Sequence, residues 1–351
     1  MMGILFLSLG ITLALGYPAL IAAKKMGLMD IPGLAPHKVH LHPTPLAGGI
    51  VILSVIAVMG VLFSQWLSRE MLGVGLGALV IFLFGLWDDR WGLSAPKKFI
   101  GQFIAAAILI SLGGRVNFIV ALSEMGIFST ELAHILNILI TLFWLVGITN
   151  ALNLIDSMDG IVAGLGAITF AFLWGAAAQA GQSTLAFWSA VLLGISIGLY
   201  FWNSLAAKLF LGDSGSQTIG FLLASLAMIY SPFARNPISS WITPILLLGV
   251  PIFDTTLVVF SRLRRGQFLL RGRRDHTYHR LIALGFSPQI AVGLVLLAAF
   301  LLSILAFLTL YLAPTPALIF FAGALACGVA LLIWLERQPT LDDHPGTLQN
   351  D

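Results

Sequence analysis

The stretch His134-Ile-Leu-Asn-Ile-Leu-Ile-Thr-Leu-Phe-Trp-Leu-Val-Gly-Ile-Thr-Asn150-Ala-Leu-Asn153-Leu-Ile-Asp156-Ser-Met-Asp159-Gly160 has two unlike halves. Residues 134–152 form an apolar run close to the roughly 20 residues that a bilayer-crossing helix needs. From Asn150 onward polar side chains recur every third position. On a straight α-helix such steps drift by about 60° each, so Asn150 and Asp159 would face opposite sides. The helix is therefore predicted to end near Asn153, with the chain turning at Gly160. That places two amides at a helix end and two carboxylates in a turn, an arrangement suited to a polar ligand plus a cation.

Outward from this stretch, ten further apolar runs lie at about 2–22, 46–65, 71–87, 98–114, 161–180, 184–202, 216–230, 238–261, 287–311 and 314–335. Composition agrees. Of 351 residues, 59% are hydrophobic and only 9% charged, against about 25% charged in a soluble domain. A water-soluble fold, a disordered chain and a disulfide-stapled domain are excluded, and the 36 glycines show no collagen period. The predicted fold is an all-α polytopic membrane protein of about 11 transmembrane helices in a single integral membrane domain. Pro244 and Pro251 predict a bend within 238–261. The first run has no basic residue before it and no small-x-small site, so it reads as a span rather than a cleaved signal. Cys327 reads as a small lipid-facing or packing residue.

Placing the N-terminus outside puts fifteen of the 18 basic residues on the inside, leaving Arg69, Arg115 and Arg235 outside. The positive-inside rule favours this orientation, with the C-terminus cytoplasmic. All eleven aspartates then fall on or near the cytoplasmic face. A one-sided aspartate cluster points to chemistry there, in loops at about 23–45, 88–97, 153–160, 203–216 and 262–286, ahead of a polar tail at 336–351.

Four segments carry that chemistry beside the first inside loop, which holds His37, His40 and His42 before Pro43-Thr-Pro45-Leu-Ala-Gly48-Gly49. Gly85-Leu-Trp-Asp88-Asp89-Arg90, followed by Lys97-Lys98, is a carboxylate pair suited to orienting lysines or a metal around phosphate. Asn150, Asn153, Asp156 and Asp159 are the second segment. In the third, Asn203 to Ser216, Gly212 and Gly215 allow close backbone approach beside Lys208 and Phe210. Ser214 or Ser216 is expected to cap the following helix, whose N–H groups form an anion site next to Asp213. Mg²⁺ takes one or two carboxylates with phosphate oxygens and water, which suits Asp213. The fourth holds Arg262, Arg264, Arg265, Arg271, Arg273, Arg274 and Arg280 around Asp275, His276 and His279. Such arginines bind phosphate in bidentate fashion or anchor the chain on anionic lipid. Asp254, about 12 Å of helix before Arg262, is either a functional group or a partner within the bent helix.

These motifs, in this order from about 37 to 286, resemble the polyprenyl-phosphate N-acetylhexosamine-1-phosphate transferases, of glycosyltransferase family 4 type. The form Asp275-His276…His279-Arg280-Leu281 resembles the WecA/TagO-like branch more than the phospho-N-acetylmuramoyl-pentapeptide transferases. The resemblance implies transfer of a sugar-1-phosphate, N-acetylglucosamine-1-phosphate by the form of the loop, from a UDP-sugar to undecaprenyl or another polyprenyl phosphate. UMP is released and a lipid-linked cell-envelope glycan begins. It implies Mg²⁺, with Mn²⁺ as a substitute, held by Asp213 with Asp156. It implies Asn203, Phe210 and Asp159 near the nucleotide; Asp88, Asp89 and Lys98 at the lipid phosphate; and His276 and His279 at the sugar-phosphate end. Asn150, Asn153, Lys208, Gly212, Arg274 and Arg280 complete the expected substrate contacts. The expected location is the inner (plasma) membrane with the site cytoplasmic, among membrane lipids, without nucleic acid, and compatible with a homodimer. Two positions depart from the family pattern: Tyr278 replaces a histidine, and Ser157 a glycine. The rival class is a secondary transporter, which would place ionisable residues at the midplane between repeats.

Overall fold

The computed structural model describes residues 1–32, 42–64, 68–116, 119, 129–205, 208–231, 237–267, 274–338 and 340. Thirteen helices are described there: α1 Met2–Met26, α2 Gly48–Phe63, α3 Arg69–Trp91, α4 Ala95–Ser111, α5 Thr130–Ile155, α6 Ile161–Gln179, α7 Ser183–Tyr200, α8 Gly212–Ile229, α9 Pro237–Leu247, α10 Gly249–Arg264, α11 Thr277–Ala283, α12 Pro288–Thr309 and α13 Pro314–Glu336. Helices occupy all the predicted apolar runs. Seven are long and apolar enough to cross a membrane on their own, and the bent pair α9/α10 brings the number to eight. Three fall short for stated reasons. The 16 residues of α2 and 17 of α4 give about 24–26 Å of helix, less than a roughly 30 Å hydrocarbon core. The third, α8, carries polar residues through its first two turns. The bend between α9 and α10 is 70°, at the break between the predicted prolines.

Among the described residues, strand structure, unexpected from the sequence, comprises β1 Met29–Asp30 paired antiparallel with β2 Thr44–Pro45, and an isolated bridge between Leu46 and Phe210. At that bridge, Phe210 N–H donates to the Pro45 carbonyl at 3.0 Å, and the Phe210 carbonyl accepts from Ala47 and Gly48. This ties the segment before α8 to the start of α2.

At the centre is α8, packed against α2, α3 and α5. Every residue from Ser214 to Met228 is buried. Its hydroxyls fold back on the helix: Ser216, Thr218 and Ser225 each donate to a carbonyl four residues earlier. Small residues let neighbouring backbones close in, as membrane helices require in the absence of a hydrophobic drive between them. A Cβ on Gly85 of α3 would lie 2.5 Å from Ser214 Cα, and one on Gly220 would lie 3.0 Å from Thr149 Cα of α5. Gly220→Leu is therefore expected to cost about 1–3 kcal/mol by overpacking. A thermal melt in detergent checks this, with Gly293→Leu unchanged because nothing lies within 4 Å of that Cβ position.

Candidate active site

The site is built around the N-terminus of α8. Asp89, in the last turn of α3, accepts the Asp213 N–H on Oδ1 at 2.7 Å and the Ser214 N–H on Oδ2 at 3.1 Å. The first N–H groups of a helix have no intrahelical partner and carry the positive end of its dipole, so a carboxylate there answers both needs. Gly212 has φ +66°, and a Cβ on it would lie 2.8 Å from either Asp89 oxygen. This corrects the expectation of a serine cap beside a vacant anion site. The cap comes from another helix, and its carboxylate already occupies the anion position.

Asp213 faces a charged cluster. Its Oδ2 receives Lys98 Nζ at 2.5 Å, and Lys98 also pairs with Asp88. One ammonium thus bridges two carboxylates. Asp213 Oδ1 accepts from Asn153 Nδ2 at 2.6 Å, which also donates to Ser216 Oγ at 3.0 Å. One turn deeper, Gln102 and Asn150 exchange amide hydrogen bonds at 2.6 and 3.2 Å, and Gln102 also donates to Gln217 at 3.0 Å. Gln102 lies four residues after Lys98, and Gln217 four after Asp213, on the same helix faces. That spacing was the signal that could have found them.

Helix α5 runs two residues beyond the predicted end, and Asp156 is its C-cap. Burial, opposed by a Ser216 hydrogen bond and reinforced by the carboxylates of Asp159 and Asp89, pushes the Asp156 carboxyl up to about 8. Asn203 sits in a π-helical turn after α7, buried, accepting the Gly160 N–H at 2.7 Å and donating to the Leu209 carbonyl at 3.0 Å.

Across from these, Arg262 Nε and Nη2 clasp both Asp275 oxygens at 2.9 Å. Asp254 receives His276 Nδ1 on Oδ2 and the Thr277 N–H on Oδ1, each at 2.7 Å. Asp254 is thus a partner that caps α11 and orients a histidine. Burial, reinforced by His276, pushes His279 down to about 3, so its imidazole is neutral at physiological pH. Arg280 is fully buried. It donates to Ser261 Oγ, the Asp275 and Leu335 carbonyls and Glu336.

The sequence profile described as glycosyl transferase family 4 matches residues 71–231. A protein of Bacillus subtilis (strain 168) named probable undecaprenyl-phosphate N-acetylglucosaminyl 1-phosphate transferase is 34% identical over 288 residues, 80% of this chain and 77% of its own. The decaprenyl-phosphate N-acetylglucosaminephosphotransferase of Mycolicibacterium smegmatis is 33% identical, across 88% of this chain and 82% of its own. The undecaprenyl-phosphate alpha-N-acetylglucosaminyl 1-phosphate transferase of Escherichia coli (strain K12) is 28% identical, across 82% and 78%. The chain belongs to glycosyl transferase family 4.

Within this family member, Asp88, Asp89, Lys98, Asn150, Asn153, Asp156 and Asp213 come together at the head of α8. Asn150, Asn203 and Arg280, expected to touch substrate, hydrogen-bond to protein groups here. Lys208 remains exposed and Arg274 half-buried. His37, His40, Arg271 and Arg273 lie outside the described residues. Glu336, taken as the start of a polar tail, is instead the buried end of α13. It pairs with Arg264 at 2.9 Å and Arg280 at 3.1 Å. Nothing local marked it.

Asp89→Ala is expected to lower thermal stability by about 0.5–2 kcal/mol, as for loss of a helix cap, and Asp89→Asn by less. The raised Asp156 value also sets a pH dependence. Its stabilising contribution is full below the ordinary value of 3.8 and is lost as pH rises through about 8. In metal-free detergent solution, Asp156→Asn is expected to flatten the fall of melting temperature across that window; an unchanged slope overturns the assignment.

Proposed function

We propose that the chain transfers N-acetylglucosamine-1-phosphate from UDP-N-acetylglucosamine to a polyprenyl phosphate, releasing UMP, at the cytoplasmic face of the plasma membrane. The observation that carries this reading is the Lys98 ammonium bridging Asp88 and Asp213 at the head of α8. The names of the family relatives supply the sugar and the lipid. The count of basic residues supplies the orientation.

The donor chemistry suits a hard cation. Two carboxylates converge on one positive charge, and the nearby oxygen donors are those Mg²⁺ prefers. Among the described residues no group of three or more acidic, histidine or cysteine side chains is arranged to hold a metal by protein alone. This matches an ion that takes one or two carboxylates and completes its shell with phosphate and water. Asp213 would hold it, with Asp156 as the second donor, and when bound it would neutralise charge on the departing UMP.

The acceptor phosphate has a second pKa near 6, so it is largely a dianion near neutral pH and needs little help from a base. Its oxygen attacks the sugar-bearing phosphorus of the donor. The new P–O bond forms as the bond to UMP breaks, and UMP leaves with that electron pair. Positioning and electrostatics dominate such transfers. Asp88 then serves to orient Lys98, Asp89 to set the head of α8, and Asn153 to aim Asp213. Arg274, half-buried just ahead of α11, is assigned to the phosphates.

Purified protein in detergent is expected to release UMP from UDP-N-acetylglucosamine only when polyprenyl phosphate is present. UMP release without lipid, together with a labelled phospho-enzyme, would replace direct attack by a two-step route. Asp213→Asn is expected to lose about 10²-fold or more of Mg²⁺-dependent turnover, the scale of one removed electrostatic group, with melting temperature retained. Unchanged turnover sinks the metal assignment.

A further inference from the structure

The two positions that depart from the family pattern meet. Ser157 Oγ and Tyr278 Oη, 121 residues apart in sequence, form a hydrogen bond. Ser157 is an exposed residue in the turn that carries Asp156 and Asp159. Tyr278 is fully buried in α11. Its ring lies 4.1 Å from that of His279, and is nearly parallel to that of His276 at 6.0 Å.

The segment around α11 is held from its own side by Arg262, by Asp254 and by the Arg280–Glu336 pair, which join it to α10 and α13. The Ser157–Tyr278 bond instead reaches the turn between α5 and α6. A fully buried phenol hydroxyl is costly without a partner. The turn therefore cannot move away from α11 without exposing that cost.

We propose that the Ser157–Tyr278 hydrogen bond is a latch that sets the separation between the carboxylates of Asp156 and Asp159 and the imidazoles of His276 and His279. Tyr278 is then a positioning residue for the sugar-phosphate end of the donor. The donor named here rests on the function proposed above; the latch itself rests on the geometry.

Ser157→Ala leaves the buried phenol unpartnered, whereas Tyr278→Phe leaves only an exposed serine that water can satisfy. Melting temperature should fall more in Ser157→Ala than in Tyr278→Phe, and the double variant should recover to the level of Tyr278→Phe. In a purely structural role, activity would follow that recovery. In a latch it does not. KM for UDP-N-acetylglucosamine should rise about fivefold, the scale of one neutral hydrogen bond, alike in both single variants and the double. The change in kcat should be smaller, and Ser157→Thr, which keeps the hydroxyl, should restore KM. Additive KM effects, or a wild-type KM in the double variant, overturn the latch. Hydrogen–deuterium exchange gives a readout independent of the donor. Residues 156–160 and 275–283 should exchange faster together in all three hydroxyl-deleting variants. Unchanged exchange refutes the latch whatever the substrate. Faster exchange in a protein whose wild type does not turn over UDP-N-acetylglucosamine supports the latch and removes the donor assignment.

Discussion

A carboxylate at the head of a buried helix organises this molecule. Asp89 reaches from α3 to the first N–H groups of α8. Ser214 is fully buried, so its N–H has no water to turn to, and a helix that begins inside protein needs a partner from elsewhere. Once α8 is held there, Asp213 is placed in its first turn, and Lys98, Asn153 and Asp88 assemble around it. Glycines at 49, 85 and 212 make the approach feasible, because a side chain on any of them would strike Ser214 or Asp89.

A second constraint is satisfaction of polar groups under cover. Buried polar atoms are bonded in native structures, and here most of the polar residues near the site are bonded to one another. Asn150, Gln102 and Gln217 form one such group, and Asn203 bridges Gly160 and Leu209. Arg280 and Glu336 close another. The result is a rigid frame around fewer accessible charges than the motif count suggests. Lys98 and Asp213 are each 27% exposed at the side chain and sit where a phosphate and a cation could arrive.

Much of this was legible in the residues. The apolar runs located the helices, the prolines located the 70° break, and the Asn/Asp spacing marked where α5 gives way to a turn. Other features were not legible. The rule that a serine near a helix start caps it is local, and it failed because Asp89, more than a hundred residues away, competes for the same N–H groups. Arg280 looked like a phosphate ligand because an arginine in an arginine-rich loop carries no mark of burial. Glu336 looked like the start of a tail because one acid at the end of an apolar run reads as a solvated end.

The sequence by itself determined the membrane class, the helix positions and the inventory of carboxylates, amides and cations, because hydropathy and helical spacing are local properties. Tertiary structure alone decided which of those groups stay open and which close on each other. Lys98 to Asp213, Asn153 to Asp213, and Ser157 to Tyr278 join residues 60 to 121 positions apart. Each pair forms because packing of α8 and α11 brings polar atoms at least partly withdrawn from water within reach of a partner, and no local spacing encodes that choice.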